Sequence, residues 1–314
     1  MKPKHYLSVT DLSANETKIV LDLALKLKKQ LKKTGQNKKF LKDKTLAMIF
    51  EKPSLRTRLS FEIAMTQLGG HAIYLGPQDI QMGKRESVAD VAAVTSRMAD
   101  LIMARTLVHR TVEDLAAASN VPVINGLSDL EHPCQILADF LTILEHKKKI
   151  KGLLISYLGD SANNVTHSLS LMSAMTGANF SCASPKGYWM NKEIASSAKT
   201  IAKKTGVKII ESDNPKEAIK NADVVITDTW VSMGDEKETK KRLKIFPQFQ
   251  VNRKLMKLAK KNAIFMHCLP AYRNKEVTDE VIDGPQSVVL DEAENRLHAQ
   301  KALLVYLCGS MIKS

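Results

Sequence analysis

The segment Glu51-Lys52-Pro53-Ser54-Leu55-Arg56-Thr57-Arg58 places two hydroxyls and two arginines where an apolar run, Thr45–Phe50, gives way to a helical stripe. A helix start presents unpaired backbone N–H groups and the positive end of the helix dipole, so it attracts anions. Arginine adds two parallel N–H donors that match phosphate oxygens. The segment reads as a phosphate cradle, with an ordinary Ser54 cap and surface arginines as the alternative. No G-x-x-x-x-G-K-[ST] loop is present, so nucleotide hydrolysis of that type is not indicated.

Further groups fall at the ends of other apolar runs. Arg105, in Ala104-Arg105-Thr106, is expected just past a strand's carboxyl end, where a charge can face a ligand or simply occupy a loop. His132-Pro133-Cys134-Gln135 opens a helix, with Pro133 suited to the first turn and His132 and Gln135 able to face the same ligand. Gly159-Asp160-Ser161-Ala162-Asn163-Asn164 follows a strand but lacks G-x-G-x-x-G, which weakens a nicotinamide dehydrogenase reading. Asp228-Thr229-Trp230-Val231-Ser232-Met233-Gly234 follows another strand, and His267-Cys268-Leu269-Pro270 puts a thiol in the same layer. A Cys–His hydrolase is conceivable there, although neighbours in an extended segment point to opposite sides. Glu292-Ala293-Glu294-Asn295-Arg296 begins the last helix.

The elements that must hold these groups alternate short apolar runs with longer amphipathic ones, the rhythm of a parallel α/β protein. Strands are expected at Thr45–Phe50, His71–Leu75, Leu101–Ala104 and Val121–Ile124, with helices at Arg58–Leu68, Val88–Met98, Val112–Ser119 and Cys134–His146. The pattern restarts after Lys147-Lys148-Lys149. Strands follow at Leu153–Leu158, Asn179–Ala183, Val207–Ile210, Val224–Thr227 and Ile264–Met266. Helices follow at Asn164–Met175, Lys192–Thr205, Pro215–Asn221, Arg253–Ala259 and Glu292–Cys308. The fold class is therefore α/β, with two doubly wound parallel-sheet domains and a ligand cleft between them at the strands' carboxyl ends. The domains are 1–147 and 148–291.

At 314 residues the chain has room for two cores, and 44% hydrophobic with 25% charged residues excludes a disordered chain. Forty-seven Lys+Arg against 33 Asp+Glu leave a net charge of +14. That excess suits nucleic acid, an anionic membrane or small anionic substrates. Much of it lies in clusters such as Lys26, Lys28, Lys29, Lys32 and Lys33, with no aromatics interleaved for base stacking, so no nucleic-acid partner is expected. The four cysteines form no CxxC pair, so neither a zinc site nor a disulfide framework is indicated, and a reducing compartment fits. The first residues carry no apolar signal region, and no run approaches the ~18 apolar residues of a membrane span. A cytoplasmic protein is expected.

Together, S-x-R-T-R, A-R-T, H-P-x-Q, D-x-x-x-S-M-G, H-C-L-P and E-A-E-N-R, in this order, resemble the aspartate/ornithine carbamoyltransferase family over essentially the whole chain. The last two strand-end motifs, D-x-x-x-S-M-G and H-C-L-P, are similar to its ornithine branch. The resemblance implies a carbamoyl-phosphate domain, then an ornithine domain, with the closing helix 292–314 returning to the first. By the same resemblance, Ser54, Leu55 (through its N–H), Arg56, Thr57, Arg105, His132, Gln135 and Arg296 would hold carbamoyl phosphate. Gln81 would lie in a loop shared between subunits of a homotrimer. Asn164, Asp228, Ser232 and Met233 would bind the amino-acid end of ornithine, and Cys268 and Leu269 would lie beside its reacting amine. No cofactor and no metal are implied.

The implied reaction is attack of ornithine's δ-amine on the carbamoyl carbon, giving citrulline and phosphate without a covalent enzyme intermediate. Arg105, Thr57 and His132 would face the developing oxyanion, and Cys268 would accept a proton. Putrescine or an acylated ornithine is the rival amine. One position departs from the family's usual S-T-R-T-R: Leu55 stands where the threonine would be, removing a hydroxyl from the phosphate turn.

Overall fold

Nine strands form two parallel sheets among the described residues of the computed structural model, which are 4–83, 85–231 and 236–309. The chain divides into two compact units, 1–141 with 294–314, and 142–293.

In the first unit, β1 (Thr45–Phe50), β2 (His71–Leu75), β3 (Leu101–Arg105) and β4 (Val123–Leu127) form one parallel sheet of order β2-β1-β3-β4. From Leu46 to Phe50 every β1 side chain is buried, as a central strand covered on both faces should be. Strand order reverses between β1 and β3, and their carboxyl ends are where an open α/β sheet leaves a crevice for ligands. Gly126 lies inside β4 because a Cβ there would fall 2.5 Å from Met103 Sδ. The closing helix Val289–Leu307 enters this unit from Glu294 onward. Lys301 Nζ donates to Asn37 Oδ1 (2.7 Å) and Gln67 Oε1 (2.8 Å), and Tyr306 Oη donates to Glu16 Oε1 (2.6 Å), anchoring it.

In the second unit, β5 (Leu154–Leu158), β6 (Asn179–Ala183), β7 (Ile209–Ser212), β8 (Val224–Ile226) and β9 (Ile264–Met266) form a parallel sheet of order β7-β6-β5-β8-β9. Here the reversal lies between β5 and β8, so the crevice should open near Gly159 and Asp228. Both sheets are doubly wound, as the alternating pattern predicts. No helix among the described residues is long and apolar enough to cross a membrane.

Candidate active site

In the first unit the crevice is built around one hydroxyl. Ser54 caps the helix Leu55–Gln67, its Oγ accepting from Thr57 N–H at 3.4 Å. The helix thus begins three residues before the expected Arg58, which places Arg56 and Thr57 in its first turn. Ser54 Oγ also donates to Thr57 Oγ1 (3.1 Å). Arg105, the last residue of β3, brings Nη1 to the same oxygen at 3.4 Å, and Arg296 brings Nη2 to it at 3.4 Å. With three donors converging on Oγ1, the single Thr57 hydroxyl hydrogen is left to point at something else. Arg296 Nη1 donates to Gln135 Oε1 (2.6 Å), and Gln135 Nε2 donates to Asp139 Oδ1 (2.9 Å). Thr57, Arg105, His132, Gln135 and Arg296 are all buried.

His132 precedes the helix Pro133–Lys147, and its carbonyl accepts from the N–H groups of Gln135 (3.0 Å) and Ile136 (3.2 Å). Burial holds its pKa well below the ordinary value, and the Arg296, Arg105 and Arg56 charges lower it further. The ring is therefore neutral at pH 7 and can offer an N–H without carrying charge. Its turn is held by Asn125 and Ser128, from the phrase Asn125-Gly126-Leu127-Ser128 that the family resemblance also covers. Asn125 Nδ2 donates to Leu7 O (2.9 Å) and Ser128 Oγ (3.2 Å), and Ser128 Oγ accepts from Glu131 N–H at 3.2 Å.

Three other residues singled out in the sequence stand apart from this group. Arg58 faces outward, its guanidinium 4.1 Å from the Tyr74 ring centre and its Nε 2.9 Å from Glu62 Oε1. Leu55 is 70% exposed at the first helical position. Gln81 is an exposed residue in left-handed backbone (φ 51) after the short helix Pro77–Ile80.

In the second unit Asp228 follows β8 and Cys268 follows β9. Cys268 Sγ donates to Asp228 Oδ1 at 3.3 Å, and Thr229 N–H donates to the same oxygen at 2.8 Å. His267 is fully buried and fixed by its surroundings. Its Nδ1 accepts from Leu269 N–H (2.9 Å), and its Nε2 faces Glu276 Oε1 at 3.2 Å. With both ring nitrogens so engaged, His267 shapes the loop and is not poised as a base for Cys268. It also holds Leu269 in left-handed backbone (φ 57), a conformation that a branched side chain seldom adopts. Asn164 begins the helix Asn164–Thr176, capped by Asn163, whose Oδ1 accepts from Thr166 N–H (2.8 Å). Ser232 and Met233 lie outside the described residues.

Residues 4–145 match the carbamoyl-P binding domain of aspartate/ornithine carbamoyltransferases, and residues 151–307 match the Asp/Orn binding domain. The chain belongs to the aspartate/ornithine carbamoyltransferase family. Within it, the ornithine carbamoyltransferase of Caldicellulosiruptor saccharolyticus is 52% identical over 97% of this chain and 98% of its own. A solved ornithine carbamoyltransferase from Pyrococcus furiosus superposes with a TM-score of 0.94 at 51% identity, covering 98% of both chains. The anabolic ornithine carbamoyltransferase of Campylobacter jejuni gives 0.91 at 44% identity, over 98% of this chain and 99% of its own.

The second unit also carries a buried ion pair, of which only Asp160 falls in a sequence motif. Arg242, on the helix Thr239–Ile245, pairs with Asp160 in the turn after β5 and donates to Trp230 O (2.9 Å), while its guanidinium lies 4.8 Å from the Tyr188 ring centre. Both charged side chains are at most 7% exposed. Arg242→Met would remove the cation that pairs with the buried Asp160 carboxylate, so the chain is expected to lose about 3–5 kcal/mol of stability in a denaturant titration. A loss below about 1 kcal/mol would show that water replaces the guanidinium.

Proposed function

We propose that this chain transfers the carbamoyl group of carbamoyl phosphate to the δ-amino group of L-ornithine, giving L-citrulline and phosphate. The observation that carries the reading is the convergence of Ser54, Arg105 and Arg296 on Thr57 at the β1/β3 reversal. It makes a buried, cationic, donor-rich basin suited to a small dianion with a carbonyl group. Ser54, Arg56, Arg296 and the N–H groups of the first turn, Leu55's included, hold the phosphate. Arg105, Thr57 and neutral His132 donate to the carbonyl oxygen as it becomes an oxyanion. Gln135 fixes Arg296. Gln81 serves a neighbouring subunit in a homotrimer, consistent with its exposed loop.

In the second unit Asp228 takes the α-ammonium of ornithine, Asn164, Ser232 and Met233 hold the rest of its amino-acid end, and Leu269 and Cys268 flank the δ-amine. The amine attacks the carbamoyl carbon, the tetrahedral adduct collapses, and the C–O bond to phosphate breaks. Cys268, once its own S–H proton has been released to solvent, accepts the proton that the bound δ-ammonium must lose before attack, and the departing phosphate takes the proton lost on collapse. Positioning and preorganised charge supply the acceleration. The names of the Pyrococcus furiosus and Campylobacter jejuni relatives, both anabolic, favour citrulline synthesis as the direction. Four free thiols suit the reducing cytoplasm.

The direct test measures phosphate release and the carbamoylated product from carbamoyl phosphate with ornithine, putrescine, acetylornithine and aspartate in parallel. Ornithine should be turned over best, and a failure to form citrulline from it would overturn the reading. Because a δ-amine titrates near ~10.4, only a small fraction is nucleophilic at pH 7. Activity at fixed subsaturating ornithine should therefore rise from pH 7 to pH 9, and a flat or falling profile would count against rate-relevant deprotonation.

Leu55→Thr should lower the KM for carbamoyl phosphate. A hydrogen bond to a charged group contributes ~1.5–3 kcal/mol when dry, but this position is 70% exposed, so water competes and a change of only a few-fold is expected. An unchanged KM would mean that the side chain at this position does not reach the phosphate.

A further inference from the structure

Gln300 lies one turn after Arg296 on the closing helix, is 1% exposed, and belongs to none of the motifs that carry the family resemblance. Its surroundings fix which way its amide faces. Ser60 Oγ donates its one hydrogen to backbone carbonyls of the helix that starts the phosphate turn, Arg56 O at 2.6 Å and Thr57 O at 3.1 Å. Towards Gln300 this hydroxyl can only accept, so the Gln300 nitrogen must face it. The amide oxygen then accepts from Arg296 Nε at 3.1 Å and Nη2 at 3.0 Å. On another edge of the same guanidinium, Nη1 is held by Gln135 Oε1 at 2.6 Å.

One neutral side chain therefore joins two pieces of the phosphate basin that are far apart in sequence. Through Ser60 it touches the backbone of Arg56 and Thr57, and through its carbonyl oxygen it grips Arg296. A carboxylate here would hold Arg296 equally well but would add a negative charge beside an anion site. An apolar side chain would leave two guanidinium N–H groups and a buried hydroxyl lone pair facing carbon.

We propose that Gln300 is a positioning residue for carbamoyl-phosphate binding, setting the angle of the Arg296 guanidinium relative to the first turn of the Ser54-capped helix. The proposal rests on Arg296 being a ligand of carbamoyl phosphate in the function proposed above. Its specific consequence is that Gln300 acts on one substrate only, and only through Arg296.

The test is a kinetic double-mutant cycle on the full chain with Gln300→Met, which keeps length and bulk, Arg296→Gln, and the two together. Gln300→Met should raise the KM for carbamoyl phosphate roughly tenfold, which corresponds to about 1.4 kcal/mol. The KM for ornithine should stay within about twofold, because a positioning effect on one ligand leaves the other's binding energy alone. Arg296→Gln should raise the carbamoyl-phosphate KM further, and adding Gln300→Met to it should change nothing more. Ser60→Ala, which removes the far anchor and leaves both guanidinium contacts, should give a smaller rise on the same substrate. It carries the test if Gln300→Met does not fold.

The proposal is overturned if Gln300→Met leaves the carbamoyl-phosphate KM unchanged. It is likewise overturned if both KM values rise together with a lowered melting temperature, or if the effects of Gln300→Met and Arg296→Gln multiply. A wild-type chain that forms no citrulline from ornithine would instead defeat the underlying function, and the proposal would fall with it. A failure confined to the variants defeats the positioning role alone.

Discussion

Arg105→Met should lower kcat for citrulline formation by roughly 10²–10³, the range expected when one preorganised donor to a developing oxyanion is removed. The guanidinium ends β3, is 6% exposed, and approaches Thr57 Oγ1 at 3.4 Å, so it is dry and held before substrate arrives. Methionine fills a similar volume without the charge. The variant should therefore fold and keep its melting temperature within a few degrees, because what is lost is an interaction made with the transition state. His132 will still be neutral, since burial is the largest cause of its lowered pKa and removing one of three nearby cations relaxes only a lesser one. A KM effect alone, with kcat retained, would place Arg105 on the phosphate rather than on the carbonyl oxygen. Retention of both constants would remove it from the site.

The strands were legible as short apolar-rich runs: β1, β6 and β9, buried along almost their whole length, and the partly exposed edge strand β2 have the bounds that their residues predict. Where elements end at functional positions the periodicity fails for a physical reason. The helix Leu55–Gln67 carries its apolar stripe only from Phe61, because its first turn presents an exposed Leu55 with Arg56 and Thr57 rather than groups for the core. β4 runs through Asn125-Gly126-Leu127, past the expected end at Ile124, because Gly126 fits against Met103 and the Asn125 side chain is satisfied by Leu7 O and Ser128. The helix Thr239–Ile245 has only Leu243 and Ile245 to pack against Tyr188, Trp230 and Phe246, too few apolar residues to mark a stripe. What anchors it is a buried arginine, a residue type that pattern reading assigns to the surface.

The site was legible as a set of residue types at strand and helix ends, and this was enough to place Thr57, Arg105, Gln135 and Arg296 in one hydrogen-bonded group. What orients them was not. Glu276 fixes His267 from nine positions away, and Gln300 meets Ser60 across 240 positions; neither spacing carries a periodic or motif signal. Arg58, read as part of the same cradle, stacks on Tyr74 instead, since a side chain one residue after Thr57 on a helix leaves on a different face. Local sequence names donors and acceptors, whereas tertiary pairing decides which are spent inside the protein and which remain for a ligand.

Asp228→Asn separates charge from shape on the amine side. The amide oxygen can still accept from Cys268 Sγ and Thr229 N–H, so the loop after β8 should keep its geometry. The variant loses the negative charge proposed to meet the α-ammonium of ornithine. A hydrogen bond to a charged group is worth ~1.5–3 kcal/mol, so the KM for ornithine should rise by roughly 10- to 100-fold. The KM for carbamoyl phosphate should not move, because that ligand has no cation for this carboxylate to meet. Acetylornithine supplies the internal control: its α-nitrogen is an uncharged amide, so it gains nothing from Asp228 in the wild type and loses little in the variant. The preference for ornithine over acetylornithine should therefore shrink by about the same factor as ornithine's KM rises. If that preference survives intact, recognition of the free α-amino group lies on another residue, and Asp228 acts through Cys268 instead. In that case kcat, rather than the KM for ornithine, would carry the loss.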